Sequence, residues 1–116
     1  MIIGIGIDAV KLKRIEDIID HNPKFISRVL TPKEQELFND LKKKRKIEFL
    51  GGRFACKEAF SKAYGTGIGK IGFQDIEILP ESTGRPIVKQ SVFEGSVHVS
   101  ITHTDTDAFA QIILEK

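Results

Sequence analysis

Two carboxylates stand in settings that ordinary surface residues do not share. Asp8 ends an otherwise apolar stretch within MIIGIGIDAV, where a carboxylate has to be paired, solvated or bound to a cation. Glu58 lies inside FACKEAF, with Lys62 one helical turn later and Arg53 nearby in sequence. Spacing alone would make Glu58 half of an exposed ion pair worth only ~0.3–0.5 kcal/mol. A strand carboxylate and a helix carboxylate can also converge on a hard cation such as Mg²⁺, which takes one or two carboxylates and fills its remaining positions with water and substrate phosphates.

The same helical segment carries Arg53, Lys57, Ser61 and Lys62. Lys57, Ser61 and Tyr64 share one face, and Phe54, Glu58, Ser61 and Lys62 another, so phosphate-binding cations could flank an acidic site. Ser100, Thr102 and His103 close a later alternating segment, and a lone strand-end histidine is more often structural than catalytic. His21, His98 and His103 lack zinc-ligand spacing. Cys56 adjoins Arg53 and Lys57, yet its place among Phe54, Ala55 and Phe60 reads as a packed, inert thiol.

Two glycine motifs imitate nucleotide sites and fail on context. Gly4-Ile5-Gly6-Ile7-Asp8-Ala9 matches GxGxxA, but only three residues precede Gly4 and the alternation runs straight through, where the dinucleotide fingerprint needs a complete strand before it and a helix opening inside it. The glycines instead predict a strand that another backbone or a ligand approaches closely. Gly65-Thr66-Gly67-Ile68-Gly69-Lys70 is one residue short of a phosphate-cradling GxxxxGK and leaves a helix rather than entering one. It reads as a helix end and a turn, with backbone amides that could bind an anion. The run Lys42 to Lys46 is formally a nucleic-acid cluster, set against a solvated helix end, and has no interleaved aromatic on which bases could stack.

These residues need a scaffold, and 116 residues allow one domain, expected over 1–116. A hydrophobic share of 41% with four prolines predicts a folded globular chain, and a net charge of +2 gives no global field toward nucleic acid or membrane. The single cysteine excludes an intrachain disulfide and fits the cytoplasm. The apolar opening lacks a basic leader and contains Asp8, so it is neither signal peptide nor membrane span.

Period-two alternation predicts a strand from Met1 to Val10, followed by an amphipathic helix with Leu12, Ile15, Ile18 and Ile19 on one face, stopped at Asn22-Pro23. Residues 25–30 are ambiguous. Thr31-Pro32-Lys33-Glu34 reads as a capping box with proline at the first helical position, and 47–64 as the main helix ending at Gly65. Strands follow over 73–79, 87–88, 97–103 and 108–114, with a turn at 80–86 and a hairpin connection at 104–107. Strand, helices, then strands predict an α+β domain, a largely antiparallel sheet packed on a long central helix.

Taken together, Gly6-Ile7-Asp8-Ala9-Val10 with Arg14-Ile15, then RFACKEAFSKA over 53–63, Gly65-Thr66-Gly67, Gly84-Arg85-Pro86 and Val99-Ser100-Ile101-Thr102-His103 resemble the holo-[acyl-carrier-protein] synthases, 4'-phosphopantetheinyl transferases that serve fatty acid biosynthesis. The resemblance covers nearly the whole chain. It implies transfer of phosphopantetheine from coenzyme A to a carrier-protein serine, with adenosine 3',5'-bisphosphate released. Asp8 and Glu58 match its Mg²⁺ carboxylates and Lys62 a lysine near the phosphates, and the serine proton would go to a base or to a metal-bound water, with Glu58, directly or through water, the candidate. Arg45, Arg53 and His103 match positions around the nucleotide, while Gly65, Arg85 and Pro86 match the adenine pocket. A homotrimer with sites between neighbouring chains is implied, as are no nucleic acid and no membrane. Carrier docking would use Arg14, Lys24, Phe25 and Arg28, with Ile18 and Ile26 beside them. His21 departs from a basic residue expected there, and Thr102 from a frequent serine.

Overall fold

In the computed structural model, which describes residues 1–67 and 69–116, the chain runs β1 (Ile2–Lys11), α1 (Leu12–His21), α2 (Lys24–Val29), α3 (Pro32–Asn39), α4 (Lys43–Tyr64), a 3-10 turn (Phe73–Asp75), β2 (Ile76–Pro80), β3 (Pro86–Gln90), β4 (Ser96–His103) and β5 (Asp107–Glu115). Three strands form an antiparallel sheet in the order β1-β5-β4, and β2 and β3 form a separate antiparallel hairpin. Asp8 lies opposite Ala110 and His103 opposite Ala108. The α+β class and the sheet packed on one long helix agree with the sequence pattern. Ile68, in the glycine-rich loop, lies outside the described residues.

The helix α4 lies directly against β1 because two glycines remove the side chains between them. A Cβ at Gly6 would stand 1.9 Å from the Ala59 carbonyl oxygen, and one at Gly4 would stand 2.0 Å from that of Ala63. The glycines of the failed dinucleotide motif therefore serve backbone approach. Gly6→Ala should destabilise the fold by ~1–3 kcal/mol or more through overpacking against backbone that cannot yield. A shift of the urea midpoint with the slope unchanged would show it, and an unshifted midpoint would mean the contact is loose in solution.

Leu50, Phe60, Ile76, Ile78, Ile112 and Leu114 are buried around α4. The opposite face of β1 is different: Ile3, Ile5 and Ile7 are 51%, 60% and 60% exposed, which is unusual for β-branched residues in adjacent alternate positions.

Local signals end the helices where expected. Thr31 Oγ1 accepts from Glu34 N at 3.3 Å and Glu34 Oε1 accepts from Thr31 N at 2.8 Å, completing the capping box. Gly65, with φ 94°, takes the left-handed C-cap of α4, and its amide donates to the carbonyls of Ser61 and Lys62.

Four details depart from the sequence pattern. Helix α4 begins at Lys43, so the basic run forms its first turn; lysine and arginine are good helix formers, and their charge hid that. Residues 24–29 are a helix whose six residues are too few to show a period. Phe73–Asp75 is a 3-10 turn, with Asp75 accepting from Gly72 N at 2.8 Å, so β2 starts only at Ile76. Strand β1 runs on to Lys11, which places Asp8 within it rather than at its end.

Candidate active site

Position 8 of β1 and positions 58 and 62 of α4 meet because the glycine contact holds strand and helix together. Lys62 Nζ donates to Asp8 Oδ1 at 2.8 Å and to the Ile7 carbonyl at 3.2 Å, and the Asp8 side chain is only 17% exposed. Burial raises the Glu58 carboxyl above its ordinary range, the Asp8 charge adds to that, and Lys62 and Arg14 pull it back. Two acidic groups, one lysine and, from α1, Arg14 thus share one electrostatic neighbourhood.

This donor set fits a hard divalent cation. Two carboxylates from separate elements repel each other, and a cation between them would relieve both that repulsion and the desolvation of Glu58. No cluster of three or more His, Cys, Asp or Glu side chains occurs among the described residues, so the remaining donors would come from water and a substrate's phosphates. Ser61 is buried and donates to the Glu58 carbonyl at 2.7 Å, which leaves it without a free nucleophilic role.

A second group lies farther along α4. Arg45 Nη1 donates to Glu48 Oε1 at 2.8 Å, and His103 Nδ1 stands 3.6 Å from Glu48 Oε2. Glu48 also lines a cleft of about 650 Å³, together with Lys11, Lys13, Lys44, Thr106 and Asp107. Ten residues of helix separate Glu48 from Glu58, roughly 15 Å at the helical rise. Within one chain, then, Asp8, Glu58 and Lys62 come together, and Arg45 and His103 come together elsewhere.

The other sequence candidates take varied places. Arg53 stacks on the Phe49 ring at 4.1 Å, its Nε is buried with no hydrogen-bond partner among the described residues, and burial lowers its pKa against the opposing charge of Glu34. Arg85 is exposed on the hairpin turn 4.0 Å from Glu81, and Pro86 opens β3. Arg14, Lys24 and Arg28 are exposed, whereas Phe25 is half-buried against Phe54 and Phe73 at ring distances of 5.8 and 6.4 Å. Burial pushes the Cys56 thiol up to about 12, consistent with an inert packed cysteine.

Lys57 departs from its expected place as a phosphate-binding cation. It is wholly buried, donating to Glu34 Oε1 and to the Val29 carbonyl, each at 2.6 Å. Sequence reading also missed Glu48, although its i,i+3 spacing from Arg45 was visible, and Glu34 as Lys57's counter-ion, whose 23-residue separation carried no signal.

The chain belongs to the 4'-phosphopantetheinyl transferase superfamily, whose sequence profile matches residues 4–113. Within it the chain groups with the holo-[acyl-carrier-protein] synthases, and it is an enzyme. It is 65% identical over 115 residues to the holo-[acyl-carrier-protein] synthase of Enterococcus faecalis, covering 99% of this chain and 98% of the relative. It is 53% identical to that of a Geobacillus species, covering 100% and 98%. Among solved structures it is similar to the Bacillus anthracis synthase in complex with CoA (3',5'-ADP), with a TM-score of 0.94 and 50% identity over 99% of this chain and 97% of that one. The Helicobacter pylori synthase in complex with coenzyme A has a TM-score of 0.84 and 35% identity, covering 96% and 99%.

Proposed function

We propose that residues 1–116, acting as one domain, transfer 4'-phosphopantetheine from coenzyme A to a serine of apo acyl carrier protein, releasing adenosine 3',5'-bisphosphate, with Mg²⁺ as cofactor. The convergence of Asp8, Glu58 and Lys62 carries this reading, on a chain whose structural relatives include complexes with coenzyme A.

Asp8 and Glu58 would hold the Mg²⁺, which when bound neutralises charge on the pyrophosphate oxygens. Lys62, already tethered to Asp8, supplies a second positive charge beside those oxygens. The serine oxygen forms a bond to the phosphorus that carries pantetheine, and the bridging P–O bond breaks. Adenosine 3',5'-bisphosphate leaves with the electron pair, and the serine proton goes to Glu58, directly or through a water. Chromatography of the nucleotide products tests this: adenosine 3',5'-bisphosphate should appear only with apo carrier protein and Mg²⁺ both present. Coenzyme A consumed equally without the carrier would contradict it.

The assembly we propose is a homotrimer. The exposed Ile3, Ile5 and Ile7 face needs covering, and Arg45 and His103 gather at Glu48, about 15 Å along α4 from Glu58 at the helical rise. A neighbouring copy's Arg45 and His103 would then complete the nucleotide end of each site, with Arg53, Gly65, Arg85 and Pro86 bordering it. The compartment is the cytoplasm, in keeping with a lone reduced thiol, and no described helix is long and apolar enough to cross a membrane.

Arg14, Lys24 and Arg28 form the basic surface for an acidic carrier. Arg14 also acts on Glu58, so Arg28 isolates docking from chemistry. Arg28→Glu should raise the carrier KM, more at low salt, and leave coenzyme A affinity unchanged, because exposed charges steer encounters over a screening length of ~8–10 Å. A carrier KM that stays put at both salt concentrations would remove α2 from the docking surface.

A further inference from the structure

Helix α2 is six residues long with no side-chain N-cap, a length that does not hold itself together in water. Its last turn carries four carbonyls, those of Ile26, Ser27, Arg28 and Val29, of which an i,i+4 backbone bond meets the first. Ile26 O accepts from the backbone of Leu30 at 2.9 Å. The other three are met by two side chains from distant elements. Lys57 Nζ, from α4, donates to Val29 O at 2.6 Å, and Gln74 Nε2, from the 3-10 turn, reaches Ser27 O and Arg28 O at 3.1 Å each and Leu30 O at 2.9 Å.

Packing runs along the same lines. Phe73, the neighbour of Gln74, meets Phe25 of α2 edge-on and Phe54 of α4 at a tilt, closing a trio with ring separations of 5.7 to 6.4 Å. The residue beside Gln74 therefore grips the apolar side of α2 while Gln74 grips its carbonyl end. Lys57, beside Glu58 in sequence, ties that same end to the helix that carries the chemistry.

We propose that Gln74 and Lys57 are positioning residues that clamp the C-terminal end of α2, fixing where Lys24 and Arg28 stand relative to Glu58. This rests on the reading of α2 as a carrier-docking surface. Among the described residues Gln74 hydrogen-bonds the carbonyls of Ser27, Arg28 and Leu30, so its effect runs through the end of α2. It is also the better probe, because its side chain is exposed enough to change without opening the core, whereas Lys57 is not.

The test compares Gln74→Glu, Gln74→Lys and Arg28→Glu with the unmodified enzyme. Glutamate has nearly the same shape as glutamine, but its carboxylate has no proton to give and would face three carbonyls. At a salt concentration high enough to screen its added charge, Gln74→Glu should still raise the carrier KM on the order of 3–10-fold, the range that corresponds to one net hydrogen bond. Its kcat at saturating carrier and its coenzyme A KM should stay unchanged, and amide exchange should quicken over 24–30. Lysine restores donors, so Gln74→Lys should return the carrier KM toward the original. If Arg28→Glu raises the carrier KM while Gln74→Glu does not, the clamp is overturned and docking stands, even if exchange at α2 quickens. If neither moves it, docking fails and the clamp fails with it. Equal rises in the KM values for coenzyme A and carrier would make Gln74 a residue of general stability, which also overturns the proposal.

Discussion

Glu58→Gln and Asp8→Asn should each lower kcat/KM by at least ~10²–10⁴-fold, the span that a positioned base or a cation ligand contributes. Either change removes negative charge from the one place where β1 and α4 bring two carboxylates together, and neither leaves a hole in the core. Stability supplies the control. The folded-state pKa of Glu58 is raised, so folding favours its protonated form; that contribution is complete below the ordinary glutamate pKa and is lost as pH rises through the folded value. Glutamine imitates the protonated form at every pH. Glu58→Gln should therefore melt no lower than the unmodified protein at neutral pH, while the two converge in acid. Near-normal turnover in either variant under limiting Mg²⁺ would show that these carboxylates are not the cation site.

Lys57→Met should cost ~3–5 kcal/mol, because it strands Glu34 as a buried carboxylate without its counter-ion. Both side chains of the pair are fully excluded from water. Glu34 is also the acceptor for Thr31 N and Ile78 N at 2.8 Å each, so the pair ties α3, α4 and β2 at one point. The double variant Lys57→Met with Glu34→Leu should recover part of the loss, since an apolar pair of similar volume needs no compensation, but not the cap of α3 or the contact to β2. Denaturant unfolding of the two single variants and the double variant measures this. A cost below ~1 kcal/mol for Lys57→Met would mean that water reaches the pair.

What the sequence made legible was local. The alternation of β1, the Thr31–Glu34 capping box and the Gly65 stop depend on residues within a turn or two of one another, and each stands where expected. The glycines at 4 and 6 announced a close approach, though not that α4 makes it. Lys57 could not be placed, because a lysine reads as solvated until the chain supplies a buried glutamate 23 residues away. Gln74 gave no sign at all, since its partners are main-chain carbonyls of a helix 44 to 47 residues earlier. As for the site, Asp8 and Lys62 meet and Glu58 feels both, whereas Arg45 and His103 gather around a glutamate that no pattern singled out.

The transfer itself is read by intact-mass spectrometry of an apo acyl carrier protein incubated with this enzyme, coenzyme A and Mg²⁺. The carrier should gain the mass of one phosphopantetheine, and a carrier with its acceptor serine changed to alanine should gain none. The gain should collapse with Glu58→Gln or when Mg²⁺ is chelated. A carrier whose mass is unchanged by the unmodified enzyme, or a serine-less carrier that gains the same mass, would contradict the account.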